Sequence, residues 1–127
     1  MTTQPNVRQY TVMAHSTDTF GRVLCSSRTN HFVADEPVAN GCPGEALSPA
    51  ELFLSGVAAC GVELVQVLTR NQSIPLQAIS ATIQGQLAGA RATQLDVALF
   101  SSVRLQFTLR GVTTEQGTQL IEGFKRR

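Results

Sequence analysis

The chain carries little charge and no excess of either sign. Of its 127 residues 15% are charged, and ten Lys or Arg against nine Asp or Glu leave a formal net charge of +1. That balance excludes the electrostatic footprint of a nucleic-acid binder or of a protein built for an acidic partner. The one basic run, Lys125-Arg126-Arg127, stands at the end of the sequence and reads as a solvated helix end. The opening MTTQPNVRQYTV has no apolar core of the kind a secretory signal needs. Three cysteines, an odd number in no repeated spacing, argue against a secreted disulfide framework. There is no phosphate-cradling glycine loop, no dinucleotide fingerprint and no nucleophile elbow of a Ser/His/Asp hydrolase. No internal repeat or interdomain linker is visible, so the expectation is a single domain over 1–127, cytoplasmic and outside the membrane.

What the chain has is apolar residues, 43% of the total, and a concentration of them in one place. Ser48 to Asn71, SPAELFLSGVAACGVELVQVLTRN, reads as one long helix with a single thiol, Cys60, near its middle. Ser48 is a good N-cap, Pro49 suits the first helical position and Glu51 completes an S-x-x-E capping box. Pro75 lies just beyond the end. Glu51 and Glu63 bracket eleven uncharged residues, against the roughly 20 needed to span a bilayer. A helix this apolar is expected in the core of a folded domain. Ser55, Gly56, Ala58, Ala59 and Gly61 let another element approach the backbone closely around Cys60, and a second, similar helix is one such element.

Before this helix, Val7–Ala14, Phe20–Ser26 and Asn30–Ala34 have strand character, and Asp35-Glu36-Pro37 is turn chemistry. After it, Gln77–Leu87 alternates as a strand and a long second strand runs from Leu95 to Leu109, with Gly85 and Gly89 suited to a bulge or bend. Thr113 or Thr114 caps a last helix whose apolar face is Leu120, Ile121 and Phe124. The order β-β-β-α-β-β-α defines an α+β domain.

From Asp35 to Gly61 the chain reads D-E-P…N-G-C-P-G-E-A-L-S-P-A-E-L-F-L-S-G-V-A-A-C-G, with Cys60 nine residues after Glu51. This pattern resembles the OsmC/Ohr superfamily, osmotically inducible and organic hydroperoxide resistance proteins, in which a Gly-rich loop leads into S-P-x-E-L and then A-A-C. Glu stands one residue later than in Ohr proper, with Ala50 directly after the proline, so the resemblance is to the broader OsmC-like branch. The resemblance implies an OsmC-like fold and an intertwined homodimer with two central Cys-bearing helices. It implies that Cys60 is a peroxidatic thiol that reduces organic hydroperoxides and is recycled by dithiols, with no metal or organic cofactor. The alternative is a non-catalytic dimeric stress-response or ligand-binding protein of the same fold. The family's second cysteine follows the last helix in a C-P motif; this sequence stops at Arg127, near where that motif would begin, so the expectation is either that the chain is truncated or that it lacks this resolving thiol.

Each candidate residue also has a plainer reading. Cys60 is either a small core residue or a sheltered nucleophile; to act it must ionise, and apolar burial opposes that unless a cation is near. Arg22 and Arg28, in the hairpin that the family folds over the helix, are the candidate cations, and Arg28 aligns better with the loop before D-E-P. Glu51 is explained by its capping box and is also placed to hold that arginine. Glu63, one turn past Cys60, is an exposed or paired carboxylate or a member of the same cleft. Cys42 is an incidental loop residue or a substitute resolving thiol, and Cys25 is a packing residue. Cys25, His31 and Cys42 match no zinc spacing, and His15 reads as a surface or strand-edge residue.

Overall fold

A computed structural model of the chain describes residues 6–87 and 100–126. The described residues form three strands, a long helix, two strands and a final helix: β1 (Met13–Ser16), β2 (Arg22–Ser27), β3 (Asn30–Asp35), α1 (Pro49–Asn71), β4 (Ala78–Leu87), β5 (Phe100–Arg110) and α2 (Thr114–Lys125). The α+β order expected from the sequence is the order found. The part of the second long strand expected at 95–99, and the bend at Gly89, lie outside the described residues. By contacts the chain divides into two compact units, 1–52 and 53–127, whose border falls inside α1.

The first unit is an antiparallel sheet in the order β1-β2-β3, followed by the loop that leads to α1. Cys25 pairs with Ala14 on one side and Phe32 on the other, so it is a half-buried strand residue, the packing role expected for it. The first strand departs from expectation. Val7–Ala14 alternates as a strand should, yet only Met13–Ser16 finds a ladder partner, and Val7, Tyr10 and Val12 are exposed. Alternation encodes a strand's two faces; pairing needs an edge to pair with. After β3 the chain makes a 3-10 turn at Val38–Asn40 and a loop through Gly41 and Gly44, both left-handed. Gly21 is left-handed too, and a Cβ there would fall 2.7 Å from Cys42 Cβ, so only glycine admits the Cys42 loop at this point.

The second unit packs the β4–β5 hairpin, α1 and α2 around Val65, Leu68 and Leu120, with Ile74, Ile79, Phe107, Leu109 and Phe124 against them. In β4 and β5 the half-buried positions, among them Ile79, Ala81, Ile83, Leu105, Phe107 and Leu109, are apolar and most exposed ones are Ser, Thr, Gln and Arg, the two-residue period that one buried face requires, with Leu87 and Val103 exposed near the bulged end. The strands pair antiparallel from Ala78↔Arg110 to Gln86↔Ser102, then slip in register at Gln86/Leu87. Gly85 itself pairs in register with Val103, so the irregularity lies beyond the glycine expected to host it and leaves Ser101 of β5 as the extra residue; a Cβ at Gly85 would meet the Phe100 ring at 2.6 Å, so close packing is what this glycine serves. Phe107 and Phe124 meet edge to face with centroids 5.1 Å apart.

The helix ends are held as the sequence signals. Thr113 and Gln116 form a reciprocal capping box on α2. At the C-terminus of α1, Ile74 N–H donates to Thr69 O at 3.0 Å and Ser73 N–H to Arg70 O at 3.4 Å, with Ser73 at φ 54°, the two bonds of a Schellman motif.

One expectation about α1 is corrected. A helix so apolar was expected to be buried, but in the isolated chain only 22% of its most apolar 18-residue window is. Phe53, Val57 and Val67 are 58%, 38% and 51% exposed. With mean hydropathy 1.8 over that window, α1 is also long and apolar enough to cross a membrane by length and composition alone. The physical reason is area: one two-stranded hairpin and one short helix cover only one side of a 23-residue helix.

Candidate functional site

The start of α1 is built by its capping box. Glu51 N–H donates to Ser48 Oγ at 3.2 Å, and Ser48 N–H donates back to Glu51 Oε1 at 3.0 Å. These bonds satisfy two donors that a helix N-terminus otherwise leaves open. The Ser48 backbone N–H, then its side chain, hold the Glu51 carboxyl below the usual glutamate range. Glu51 thus has the capping role that its spacing announced.

A second polar cluster lies just upstream; its arginine, Arg22, was a candidate from the sequence, but its aspartate, Asp35, was not. Asp35, the last residue of β3, is buried with its side chain fully shielded. Arg22, its cross-strand partner at the start of β2, donates from Nε to Oδ1 and from Nη2 to Oδ2, each at 2.8 Å. The backbone N–H groups of Glu45 and Ala46 donate to the same Oδ2 at 2.9 and 3.2 Å. Asp35 N–H in turn donates to Leu47 O at 3.0 Å. The hydrogen bond from Arg22, above all, pulls the Asp35 pKa from 3.8 down to about 2, and the same bond raises that of Arg22. Glu45 adds a longer contact to Arg22 Nη2 at 3.5 Å from a largely exposed side chain. A buried charge survives only when paired and hydrogen-bonded, and Asp35 is both. The available signal was the first letter of the D-E-P segment. Turn chemistry explained it, and nothing in one sequence says that a strand-end aspartate is buried.

The two candidate arginines therefore stand differently. Arg22 is held by a two-point fork and keeps 29% of its side chain exposed. Arg28 lies in the β2–β3 turn, exposed and with φ 56°. In the second unit, Cys60 is a free, exposed thiol on α1. At 100° per residue it shares a helix face with Phe53, Gly56, Val57 and Val67. Gly61 next to it is buried, and a Cβ there would lie 3.0 Å from the Phe107 ring. Gly56 has nothing within 4 Å of the same position. Half of the small-residue stripe is thus explained by the hairpin, while the half that shares Cys60's face is open. Glu63 lines a cleft of about 580 Å³ beside the second half of α1, together with Val67, Arg70, Ile74, Leu76 and Ile79. Cys42 is half-buried, with its Sγ 3.5 Å from Asn40 O. Among the described residues no group of His, Cys, Asp and Glu has metal-binding geometry.

This arrangement of elements, with a cysteine on a long apolar helix behind a Gly-rich loop, defines a class of protein that the comparisons then identify. The family model described as OsmC-like protein matches residues 42–127, and the chain belongs to that family. No curated protein sequence matches it. Among solved structures, an OsmC-like protein from Mycoplasma pneumoniae superposes with a TM-score of 0.80 at 14% identity, over 94% of this chain and 82% of that one. An organic hydroperoxide resistance protein from Elizabethkingia anophelis, with thiocyanate bound, gives 0.76 at 17% identity, over 97% and 85%. An organic hydroperoxide resistance protein OsmC from Legionella pneumophila gives 0.72 at 21% identity, over 94% and 83%. At these identities the likeness is one of fold, and the hydroperoxide-resistance names belong to those relatives.

Proposed function

We propose that the protein is a thiol-dependent hydroperoxide reductase acting through Cys60, in the service of oxidative-stress defence. The observation that carries this reading is the position of Cys60, one free thiol on the open apolar face of α1 in a chain of the OsmC-like family. In the reaction the Cys60 thiolate attacks the terminal oxygen of R–O–OH. An S–O bond forms as the O–O bond breaks, sulfur is oxidised to sulfenic acid, and the alkoxide takes a proton to leave as the alcohol. A dithiol then reduces the sulfenic acid, releasing water and closing its own disulfide. Phe53 and Val57 beside Cys60 favour an apolar R group. Glu51 and an arginine of the hairpin, Arg28 or Arg22, complete the proposed site.

The site needs a homodimer. The exposed stripe Phe53, Gly56, Val57, Cys60 and Val67 is the size and shape of a helix-crossing seam, and a two-fold axis brings the same stripe of a second copy onto it. The unpaired, alternating segment 7–12 has the pattern of a strand for which a second copy supplies an edge. A bilayer is the poorer cover, because Glu51 and Glu63 would enter it with the helix. Such a dimer is a soluble, cytoplasmic protein.

The experiment is sulfenic-acid trapping at Cys60 by mass spectrometry, after brief exposure to one equivalent of an organic hydroperoxide. Hydrogen peroxide serves for comparison and Cys60→Ser as the blank. Fast trapping selective for the organic peroxide supports the reading. A Cys60 that stays reduced overturns it, and leaves the exposed stripe as the interface of a non-catalytic, dimeric binding module.

A further inference from the structure

We infer that the cleft beside the second half of α1 is a binding site of its own. Its ligand is a slender molecule with a carboxylate at one end, a cationic nitrogen at the other and hydrocarbon between. Cys60 has no part in it. The cleft has a volume of about 580 Å³ and lies wholly within the second unit. Small-molecule sites typically enclose roughly 300–1,000 Å³.

One wall is a row of α1. Glu63, Val67 and Arg70 stand at i, i+4 and i+7, so they share a helix face in the order acid, apolar, base. Seven residues of helix separate the two charges by roughly 10 Å along its axis. Among the described residues neither Glu63 nor Arg70 makes an ion pair or a side-chain hydrogen bond. The facing wall is Ile74, Leu76 and Ile79, all half-buried, from the connection after α1 and the start of β4. Ile74 and Ile79 also pack against the core of the unit, and Gln77 N–H between them donates to Arg110 O at 2.8 Å. The apolar wall is therefore fixed before any ligand arrives.

The way α1 ends leaves Arg70 available. A basic side chain in a last helical turn ordinarily caps open carbonyls. Here those carbonyls are already used. Gln66 O accepts from Thr69 Oγ1 at 2.7 Å, Leu68 O from Gln72 N–H at 3.1 Å, and Thr69 O from Ile74 N–H at 3.0 Å. Arg70 O accepts from Ser73 N–H at 3.4 Å. The guanidinium keeps its donors, and a carboxylate meets such a group at two points. Glu63 takes a cation at the other end, and the apolar surface between them takes hydrocarbon. The opposite signs also select against competitors: a dianion is repelled by Glu63 and a dication by Arg70.

NMR titration of the isoleucine methyl signals of the full chain tests this. The probe is ω-aminooctanoate, whose charges span the row. Octanoate and octylamine carry one charge each, and ω-aminobutyrate is too short to reach both ends. The expected result is saturable shifts at Ile74 and Ile79 with ω-aminooctanoate, at an affinity roughly tenfold above octanoate or octylamine, and none with ω-aminobutyrate. Arg70→Gln should weaken ω-aminooctanoate and octanoate and leave octylamine unchanged. Glu63→Gln should weaken ω-aminooctanoate and octylamine and leave octanoate unchanged. Both side chains are exposed, so neither exchange threatens the fold. Cys60→Ser should bind as wild type, so this result and that of the sulfenic-acid experiment fall independently. Absence of saturable shifts with ω-aminooctanoate, or an affinity that neither exchange alters, overturns the inference. So does a mass by light scattering that falls as the probe is added. Val67 is also the last residue of the proposed seam, and the cleft would then belong to the interface between two copies.

Discussion

Single residues divide into those whose role the local sequence states and those whose role depends on burial. Ser48, Glu51, Thr113 and Gln116 belong to the first group: each capping box is formed by residues three apart, and both are present. Asp35 belongs to the second. Its carboxyl titrates at about 2 rather than the ordinary 3.8 because the folded state holds the charged form. A depressed acid stabilises the fold fully above its ordinary value and loses that contribution as the pH falls towards its folded one. The wild-type protein should therefore lose stability between about pH 4 and pH 2, and Asp35→Asn, less stable at neutral pH, should have a flatter acid limb. Urea midpoints at pH 7, 4, 3 and 2 measure this; parallel curves for the two proteins would refute it. Ser73 offers a gain. It occupies the left-handed C′ position after α1 at φ 54°, where glycine is unstrained. Ser73→Gly should stabilise by about 0.5 kcal/mol, the relief of strain exceeding the added entropy of the unfolded chain. A thermal melt shows the sign.

At the scale of elements, hydrophobic period was sufficient to find β4, β5, α1 and α2, and the found bounds of α1 and β4 differ by one residue from those expected. It failed at β1, where the pattern starts at Val7 and the ladder at Met13. A strand's faces are encoded in its own residues, but its partner is not. The packing between elements can be tested at two helix positions. Leu120 is fully shielded at the centre of the second unit, so Leu120→Ala should cost about 2–5 kcal/mol, read from denaturant unfolding. Losing the Thr113 cap should cost only about 1 kcal/mol. The two glycines of α1 should part in the same assay. Gly61→Val drives a side chain into Phe107 and Leu105 and destabilises the single chain, whereas Gly56→Ala meets nothing within the chain, so its effect should fall on the proposed seam instead. Equal effects at the two sites would mean that the stripe has no distinct faces.

For the whole molecule, the exposed face of α1 is the dominant fact. An apolar helix face of this length does not stay in water, and the proposed cover is a second copy. Light scattering should give a mass of twice 13.6 kDa, and a bulky charge at the seam, as in Val57→Arg, should reduce it to the single-chain value while leaving the second-unit core intact. A single-chain mass for the wild type would remove the seam. The sequence by itself determined the α+β order, the helix ends, the cysteine at the middle of α1 and the family. These are local or periodic properties, which a side chain carries with it wherever the chain goes. Only the tertiary structure decided that Cys60 lies on an open face, that Gly61 and Gly56 are not equivalent, and that Asp35 is a buried hub joining Arg22 to the loop before α1. Those depend on which residues distant in sequence come to share a neighbourhood, because burial and charge pairing belong to the neighbourhood rather than to the residue.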